Sequence, residues 1–448
     1  MKTRYHACLW VLILLLVQPV FSRASETFIP PVPADTGQTE IYFLTRGAGD
    51  EAYMKYGHTM IRVVDPSHNL DVAYNWGMFD FRTPGFIVKF LRGPLQYHLG
   101  IPATRFEVGI SQNEHRWLVQ ERLNLTDKQK AALLVELNRE AQPERRYYRY
   151  LFFTDNCSTR PRDVLDRVLG GKIAARFQAK PSGATFRDEV MEYNASAPIL
   201  AMGQDVILNG EVDRGISQWE EMFAPLKLRE YLLSMPAYND DGTERPGEKL
   251  LTGTTTLVSY PDPVSAPYSG YAIVWLLLGI PVLAGMALYA RPAFRETGIR
   301  IFGLVLAVWG AVSGGFGLYL ALSWAFSEHA VVVGHNANLL VFWPVDWYLL
   351  FPAAVLLWKG AALRKDSLPA RLTAWFVLGH LVVLGAYGIL AIGGFITQYV
   401  TRVLIYYGSL ALLIYGLSLH LTGFRWRVRP GAPSPVPEKH RGGRRPRR

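Results

Sequence analysis

The chain has 448 residues, of which 50% are hydrophobic, and its 47 Lys and Arg against 37 Asp and Glu give a net charge of +10. The charge is uneven, because residues 25–267 carry 27 basic against 32 acidic residues, whereas the residues from 268 onward carry 17 against 5. Basic residues beside apolar segments indicate membrane topology. The distribution therefore argues against a phosphate-binding surface, and we expect no nucleic-acid partner.

The first 24 residues have the pattern of a secretory signal peptide. Lys2 and Arg4 precede an apolar run, 9–17, and residues 22–24 offer a cleavage site between small residues. The alternative is an uncleaved anchor, but the run is shorter than the ~20 residues that a bilayer requires. In either case the following segment is exported, and removal of Cys8 with the leader leaves Cys157 as the lone thiol.

Residues 25–235 are predicted to form an exported domain of mixed α and β structure. Turn residues separate three short strands. Thr126 and Gln129 form a capping box at the start of a helix that runs to about Ala141. The predicted strands are Ile41 to Leu44, His58 to Val64 and Val72 to Trp76, and further helices are predicted from Cys157 to near Leu169 and from Ser217 to Met235. Residues 236–267, rich in Pro, Gly, Thr and Asp, are predicted to be a linker.

Five apolar stretches of membrane-spanning length follow and define a helical transmembrane domain, 268–421. Basic residues concentrate in the first and third connections and in the tail, 422–448, which places these segments in the cytoplasm by the positive-inside rule. The sequence thus predicts a multi-pass protein of a bacterial inner membrane with an exported N-terminal domain. The stretches are 268–290, 301–326, 339–358, 372–394 and 403–421.

The segment whose residues most clearly indicate a catalytic site is 152–163, FFTDNCSTRPRD. Helix-capping residues, including Asn156, come before Cys157, which would lie in the first helical turn. The partial positive charge of a helix N-terminus favours a thiolate, and its backbone amides can receive the oxyanion of an attacked ester or amide. Arg160 adds positive potential, and Asn156 and Arg160 are the polar residues beside the thiol that we expect to bind substrate. We therefore expect Cys157 to be a nucleophile, rather than an inert buried cysteine.

A thiolate catalyst needs a base, and His58 is the favoured candidate because it begins a strand that would hold its ring. His68, His98 and His115 have less support. If the turn is centred on residues 67 and 68, facing residues have numbers that sum to 135, and Asn75 shares a face with His58. Asn75 would then orient the imidazole, although a slip of one residue would remove it. The competitors for this role are Asp71, Asp80 and Asp155.

A second polar segment, SEHAVVVGHNANLL, joins the second and third apolar stretches. It would either bind a lipid headgroup at the outer face of the bilayer or form an ordinary polar loop. A zinc site is not expected, because two histidines and one carboxylate do not fill a coordination shell. Asp346 must face the bundle interior or the interface. The candidate binding residues of this segment are His329, His335, Asn336 and Asn338.

The motifs YGHTMIRV, YNWGMFDF and DNCSTRPRD together resemble the N-terminal periplasmic domain of Lnb-type lipoprotein N-acyltransferases. The resemblance covers residues 38–200 well and the five-helix region more loosely. It implies a permuted papain-like fold, related to the NlpC/P60 group, in which the histidine strand of an antiparallel sheet precedes the cysteine helix. The long segment between His58 and Cys157 departs from the minimal fold and leaves the third catalytic residue open.

The resemblance implies that Cys157 takes an acyl chain from a phospholipid as a thioester, with His58 as the base. The acceptor would be the N-terminal amine of a diacylglyceryl-cysteine lipoprotein, and no cofactor is expected. Two alternatives remain. A periplasmic cell-wall cysteine peptidase or amidase would use the same pair but would not explain five helices. A non-enzymatic membrane scaffold would leave the thiol, the cap and the histidine strand without a common purpose.

Overall fold

The computed structural model describes residues 29–33, 35–79, 93, 95–263, 270–364 and 367–422. The expected signal peptide, Asp80 and all but the first residue of the expected basic tail therefore lie outside the described residues. The chain divides into two compact units. The N-terminal unit comprises Met1–Gly270 and Leu322–Asn336, and the helical unit comprises Tyr271–Ala321 and Ala337–Arg448.

A seven-stranded antiparallel sheet forms the centre of the N-terminal unit, with helices packed around it, so its fold class is α+β as expected. The strand order is β11-β5-β1-β2-β3-β4-β6. These strands are β1 (Glu40–Arg46), β2 (His58–Asp65), β3 (Leu70–Met78), β4 (Gln96–Gly100), β5 (Leu118–Leu123), β6 (Tyr147–Arg149) and β11 (Leu251–Val258). Two strand pairs lie outside this sheet, β7 (Pro181–Thr185) with β8 (Gly215–Ser217) and β9 (Pro236–Tyr238) with β10 (Glu244–Lys249).

Strand alternation divides the hydrophobic residues between the two faces of the sheet. Ile41 and Phe43 belong to the larger core, together with residues of the helices, whereas Leu44 belongs to a smaller cluster with Met60 and Val258. The helices of this unit are α1 (Thr104–Asn113), α2 (Asp127–Glu140), α3 (Pro143–Arg146), α4 (Thr159–Val168), α5 (Lys172–Phe177), α6 (Phe186–Tyr193), α7 (Pro198–Ile207), α8 (Gln218–Glu221) and α9 (Pro225–Ser234).

The capping box that the sequence predicted at Thr126 and Gln129 is present at the start of α2. The single helix predicted from Ser217 to Met235 is wrong, because the structure has two helices, α8 and α9. Pro225 lies in the first turn of α9 and has no N–H with which to continue α8.

The prediction of a linker at 236–267 also needs correction, because this segment contributes β9, β10 and β11. Strand β11 pairs with β5 and forms an edge of the main sheet. Its sequence, LTGTTTLV, is polar enough to resemble a loop. However, Thr is β-branched and suits an edge strand whose outer face is exposed.

Five membrane-length helices occur among the described residues, judged by length and composition, and most of their residues belong to the helical unit. In the interior of this unit, Asp346 is fully buried and its carboxylate accepts hydrogen bonds from Ser313 Oγ, the Trp343 amide and His380 Nε2. This agrees with the first expectation for Asp346. The five helices are Gly270–Tyr289, Pro292–Phe326, Ala337–Lys359, Leu368–Ile392 and Val403–Thr422.

Candidate active site

The pairing of β2 with β3 brings His58 and Asn75 together. Facing residues in this pair, such as Ile61 and Tyr74, have numbers that sum to 135, so the register predicted from the turn is confirmed. His58 Nε2 lies 2.8 Å from Asn75 Oδ1. The histidine is thus held at the start of one strand by an amide from the next.

The orientation of the Asn75 side chain determines the tautomer of His58. Asn75 Nδ2 donates to Glu107 Oε1 at 2.8 Å, and Asn75 Oδ1 accepts from the backbone amide of Gly77, also at 2.8 Å. The oxygen of Asn75 therefore faces the imidazole, and an oxygen can only accept a hydrogen bond. His58 Nε2 consequently carries the proton, which leaves Nδ1 as the basic nitrogen.

Glu107, on α1, connects this pair to a buried cation. Its Oε2 lies 2.6 Å from Arg46 Nη2, and Arg46 Nε donates to Ser111 Oγ at 2.7 Å. All three side chains are at most 5% exposed. The sequence did not reveal Glu107, because its proximity to His58 depends on how α1 packs on the sheet.

Gly77 allows the chain to approach the imidazole closely. A Cβ atom at this position would lie 2.3 Å from His58 Cε1 and 3.0 Å from Nε2. Real Cβ atoms do not make contacts this short. Glycine is thus required at this position for His58 to keep its place.

Cys157 lies in a turn two residues before α4 begins at Thr159, and not in the first helical turn as predicted. Asn156 is the reason, because its Oδ1 accepts hydrogen bonds from the backbone amides of Ser158 at 2.7 Å and Thr159 at 2.9 Å. These two amides are therefore occupied. The expectation that they would receive an oxyanion needs correction.

The two polar residues expected to bind substrate beside the thiol already have protein partners. Asn156 Nδ2 donates to the carbonyls of Phe152 and Phe223, at 2.7 and 3.0 Å. Arg160 makes a bidentate ion pair with Asp155, at 2.6 and 2.9 Å. The structure thus gives Asn156 a structural role, while Arg160 borders an open cleft.

That cleft has a volume of about 490 Å³ and alternates acidic and basic side chains. Cys157 is not among its lining residues. The cleft is lined by Glu140, Arg145, Leu151, Thr154, Asp155, Arg160, Asp163 and Arg167.

The sulfur of Cys157 lies at the same edge of the sheet as His58. It accepts a hydrogen bond from the backbone amide of Thr59, the residue that follows the histidine. Burial raises the pKa of the Cys157 thiol to about 11, although this hydrogen bond and the charge of Arg116 lower it. Burial and the charge of Arg46 lower the pKa of His58 to about 4. Both groups are therefore neutral near pH 7.

Aromatic side chains surround the thiol. Burial raises the pKa values of Tyr97, Tyr148 and Tyr150, and the nearby Cys157 contributes to each increase. The Tyr97 ring stacks on Tyr150 with centroids 4.3 Å apart and on Phe79 at 4.6 Å. The buried sulfur thus lies near several tyrosine side chains.

The competing carboxylates have other partners. Asp71 makes a bidentate ion pair with Arg62, with both contacts at 2.7 Å, and Asp155 is bound to Arg160. Asp80 lies outside the described residues. Of the described candidates, Asn75 is thus the one that contacts His58.

The other histidines of the N-terminal domain lie elsewhere in the structure. His68 is exposed in the β2–β3 turn, with Nδ1 2.7 Å from Asp65. The ring of His98 packs near Tyr147, and that of His115 near Tyr260. None of these contacts brings a second histidine to Cys157.

The four candidate residues of the polar segment 327–340 belong to two different units. Asn336 Nδ2 donates to the carbonyls of residues 206–208 within the N-terminal unit. Asn338 Oδ1 accepts from Tyr387 at 2.8 Å within the helical unit. His335 is exposed and packs beside Trp324, and the backbone amide of His329 donates to Ser327 Oγ. A role of these four residues in headgroup binding stays a prediction.

Hydrogen bonds attach residues 331–336 of this polar segment to the rest of the N-terminal unit. Asn209 donates from its backbone amide to the carbonyl of Val332 and from Nδ2 to those of Val331 and Gly334, at 2.8–2.9 Å. The Val332 side chain packs on the cluster that contains Phe153 and Phe223. Residues 322–336 are thus structurally part of the N-terminal unit. Within the described residues, no group of three His, Cys, Asp or Glu is placed to hold a metal ion.

A buried thiol, a histidine–asparagine pair and five membrane-length helices in one chain define a multi-pass membrane protein with a thiol site in its N-terminal domain. Residues 34–189 match the Lnb N-terminal periplasmic domain. Residues 34–189 thus form a domain of that family, as the sequence motifs predicted, and this match fits a periplasmic N-terminus. No curated protein and no solved structure matches the chain.

Proposed function

We propose that this protein is a membrane-bound thiol acyltransferase in which Cys157 is the nucleophile and His58 is the base. The observation that carries the proposal is the hydrogen bond from the Thr59 amide to the Cys157 sulfur, because it fixes the thiol beside the strand that begins with His58. Asn75 orients the imidazole so that Nδ1 is free to accept a proton. The family match and the membrane-length helices together fit a membrane protein that modifies lipoproteins.

The neutral resting pair determines the order of proton transfer. As the Cys157 sulfur adds to an ester carbonyl, the thiol proton moves to His58 Nδ1 and the carbonyl electrons move to the oxygen. When that oxyanion collapses, the bond to the alkoxide breaks, and the alkoxide takes the proton from His58. The product is a thioester at Cys157, which remains reactive toward an amine.

The proposed donor is a phospholipid, and the proposed acceptor is the N-terminal amine of a diacylglyceryl-cysteine lipoprotein. Burial of the thiol beside the aromatic side chains of Tyr97, Tyr148 and Tyr150 supports an acyl donor. Both substrates are anchored in a bilayer, so a catalytic domain anchored in the same bilayer meets them at a high effective concentration. The bacterial inner membrane, with a cytoplasmic C-terminus, is the location that the basic connections support.

A cell-wall peptidase or amidase would use the same thiol but would need it open to a long polar cleft. A hydrolase would also not explain five membrane-length helices, so we favour the acyltransferase. A scaffold would require none of the bonds that hold His58 and Asn75.

The test uses the full-length protein in detergent, incubated with a phospholipid whose acyl chains carry a label. Intact mass is expected to show one acyl adduct that is absent in Cys157→Ser and strongly reduced in His58→Ala. The matched control is His68→Ala, because His68 is exposed in a turn and should leave the adduct unchanged. A diacylated lipopeptide with a free amine should discharge the adduct.

Three results would reject this function. Folded protein that forms no adduct and cleaves cell-wall fragments would indicate the hydrolase. Protein that is inactive in both assays would indicate the scaffold. An adduct that persists in Cys157→Ser would exclude Cys157 as the nucleophile.

A further inference from the structure

Arg116 is a buried cation with an unused hydrogen-bond donor. Its Nε donates to the carbonyl of Gly47 at 2.7 Å, and its Nη1 donates to Glu114 Oε2 at 2.9 Å. The side chain is 5% exposed, and Nη2 has no hydrogen-bond partner among the described residues. An unsatisfied guanidinium nitrogen away from water is unfavourable. Such an atom therefore suggests that a negative charge forms nearby at some stage.

The sheet register places Arg116 at the same edge as the proposed catalytic pair. Arg116 lies two residues before Leu118, which begins β5 and pairs with Arg46 of β1. Arg46 in turn pairs with His58 at the start of β2. The next residue, Thr59, donates to the Cys157 sulfur. Three neighbouring strands thus bring the guanidinium and the thiol to one corner of the sheet.

We propose that Arg116 is the counter-ion of the Cys157 thiolate and that its free Nη2 provides the interaction. This inference rests on the proposed function in one respect, because it takes Cys157 to be the nucleophile. Arg116 acts through the sulfur and is thus a positioning residue for the charge of the nucleophile.

The electrostatics of the site agree with this role. Arg116 lowers the pKa of Cys157, and the thiolate in turn raises the pKa of Arg116, in both cases against the larger effect of burial. The other buried cation, Arg46, is neutralised by Glu107 at 2.6 Å. The partner of Arg116, Glu114, is 27% exposed, so solvent weakens its compensation. Arg116 is therefore the cation that remains effective at the sulfur.

The charge of Arg116 also affects His58, which accepts the thiol proton in the proposed reaction. Arg116 and Arg46 both lower the pKa of His58, whereas Glu107 and the Asn75 hydrogen bond raise it. A protonated His58 is thus a stronger acid than an ordinary imidazolium, which favours rapid return of the proton to the leaving alkoxide. Arg116 would stabilise the sulfur anion and destabilise the imidazolium. Among the described residues, the tyrosines Tyr97, Tyr148 and Tyr150 also lie near the thiol.

The test measures the rate at which iodoacetamide alkylates Cys157 in the full-length protein in detergent, as a function of pH. Loss of a nearby cation raises a thiol pKa by about one unit or more. Arg116→Gln should thus react about tenfold more slowly at a given pH below the thiol pKa. Arg116→Lys should recover part of the rate. Arg122→Gln is the matched control, because Arg122 is a half-exposed arginine on β5, the strand that follows Arg116, and should leave the profile unchanged.

A second variant keeps the test decisive if Arg116→Gln does not fold. Glu114→Gln removes the carboxylate that partly neutralises Arg116, so its thiol should react faster than that of the wild type. Opposite shifts in the two variants support the counter-ion, because a loss of packing would not reverse sign. Unchanged profiles, or a shift of both in one direction, would overturn it. Alkylation needs no acyl donor, so a failure of the acyl-transfer assay is distinguishable from a failure of this inference.

Discussion

Asn75 Nδ2 donates a hydrogen bond to Glu107 Oε1 at 2.8 Å, and this contact determines which nitrogen of His58 is basic. A carboxylate can only accept, so the amide cannot turn over without losing the bond. The Asn75 oxygen is thereby presented to the imidazole. The pair works as one unit with Glu107, a residue that does not contact the thiol.

Glu107→Gln should reduce the rate of thioester formation by about tenfold or more, because a Gln amide can donate or accept and no longer fixes Asn75. The loss should persist from about pH 5 to about pH 8, since it arises from orientation rather than from protonation of His58. The variant also leaves Arg46 without its ion pair, so thermal unfolding must be measured alongside. Full activity in a folded Glu107→Gln variant would contradict this role.

The acidic limb of the pH profile for thioester formation should lie near pH 4. Burial and the charge of Arg46 hold the pKa of His58 at about 4, so the imidazole stays neutral and basic above that value. Activity should thus be lost only as the pH falls through about 4 and His58 takes up a proton. A limb near the ordinary histidine value of about 6.5 would show that the base is another group or is solvated.

Gly77→Ala should displace the imidazole, because the new Cβ would lie 2.3 Å from His58 Cε1. We expect thioester formation to fall at least tenfold while the protein remains folded. Gly109→Ala is the matched control, since a Cβ there meets nothing within 4 Å. Gly109 lies inside α1, where Ala is the better helix former by about 0.5–1 kcal/mol. Equal activity in the two variants would refute the close approach.

Stability should fall as the pH rises from about 4.5 to about 8, because of Glu189. Burial and a hydrogen bond to Glu221 raise the pKa of Glu189 to about 8. The folded protein thus binds a proton in this range that the unfolded chain has released, and the contribution is lost as the pH increases.

Glu189→Gln keeps the hydrogen-bonding shape without the titration. Above about pH 8 it should melt a few degrees higher than the wild type, and below about pH 4.5 the two should converge. Thermal unfolding in detergent across the pH range measures both. A constant difference in melting temperature would exclude titration of Glu189 as the cause.

His380→Leu should strongly destabilise the helical unit, because it removes a partner that lies 2.6 Å from the fully buried Asp346. Breaking a buried pair costs about 3–5 kcal/mol, whereas replacing both members can be nearly neutral. The double variant His380→Leu/Asp346→Leu should thus recover much of the loss in a detergent unfolding assay. Additive losses would show that the two side chains do not act as a pair.

The histidine–asparagine pair could be predicted from sequence because it depends on a short-range feature, a tight turn with regular alternation on both sides. The helix start beside Cys157 was missed by two residues. The residues before Cys157 are all of types that cap helices, but which of them does so depends on the backbone. The side chain of Asn156 accepts hydrogen bonds from the amides of Ser158 and Thr159 at the helix start.

Contacts between residues far apart in the sequence could not be predicted from local patterns. Glu107 and Arg116 reach the site through the packing of α1 and the start of β5, and no local pattern marks them. Strand β11 lies in a polar, Thr-rich segment, and its pairing with β5 crosses more than 100 residues of chain. The attachment of residues 322–336 to the N-terminal unit through Asn209 likewise has no counterpart in the pattern of the sequence.

Burial of Cys157 also affects how well its thiol resists oxidation outside the cytoplasm. Thiolates, not thiols, react with peroxides and disulfides. With a pKa of about 11, only about one molecule in ten thousand carries the thiolate at pH 7. The protein thus keeps its sulfur in an unreactive form between encounters with a substrate, and oxidants find little to attack.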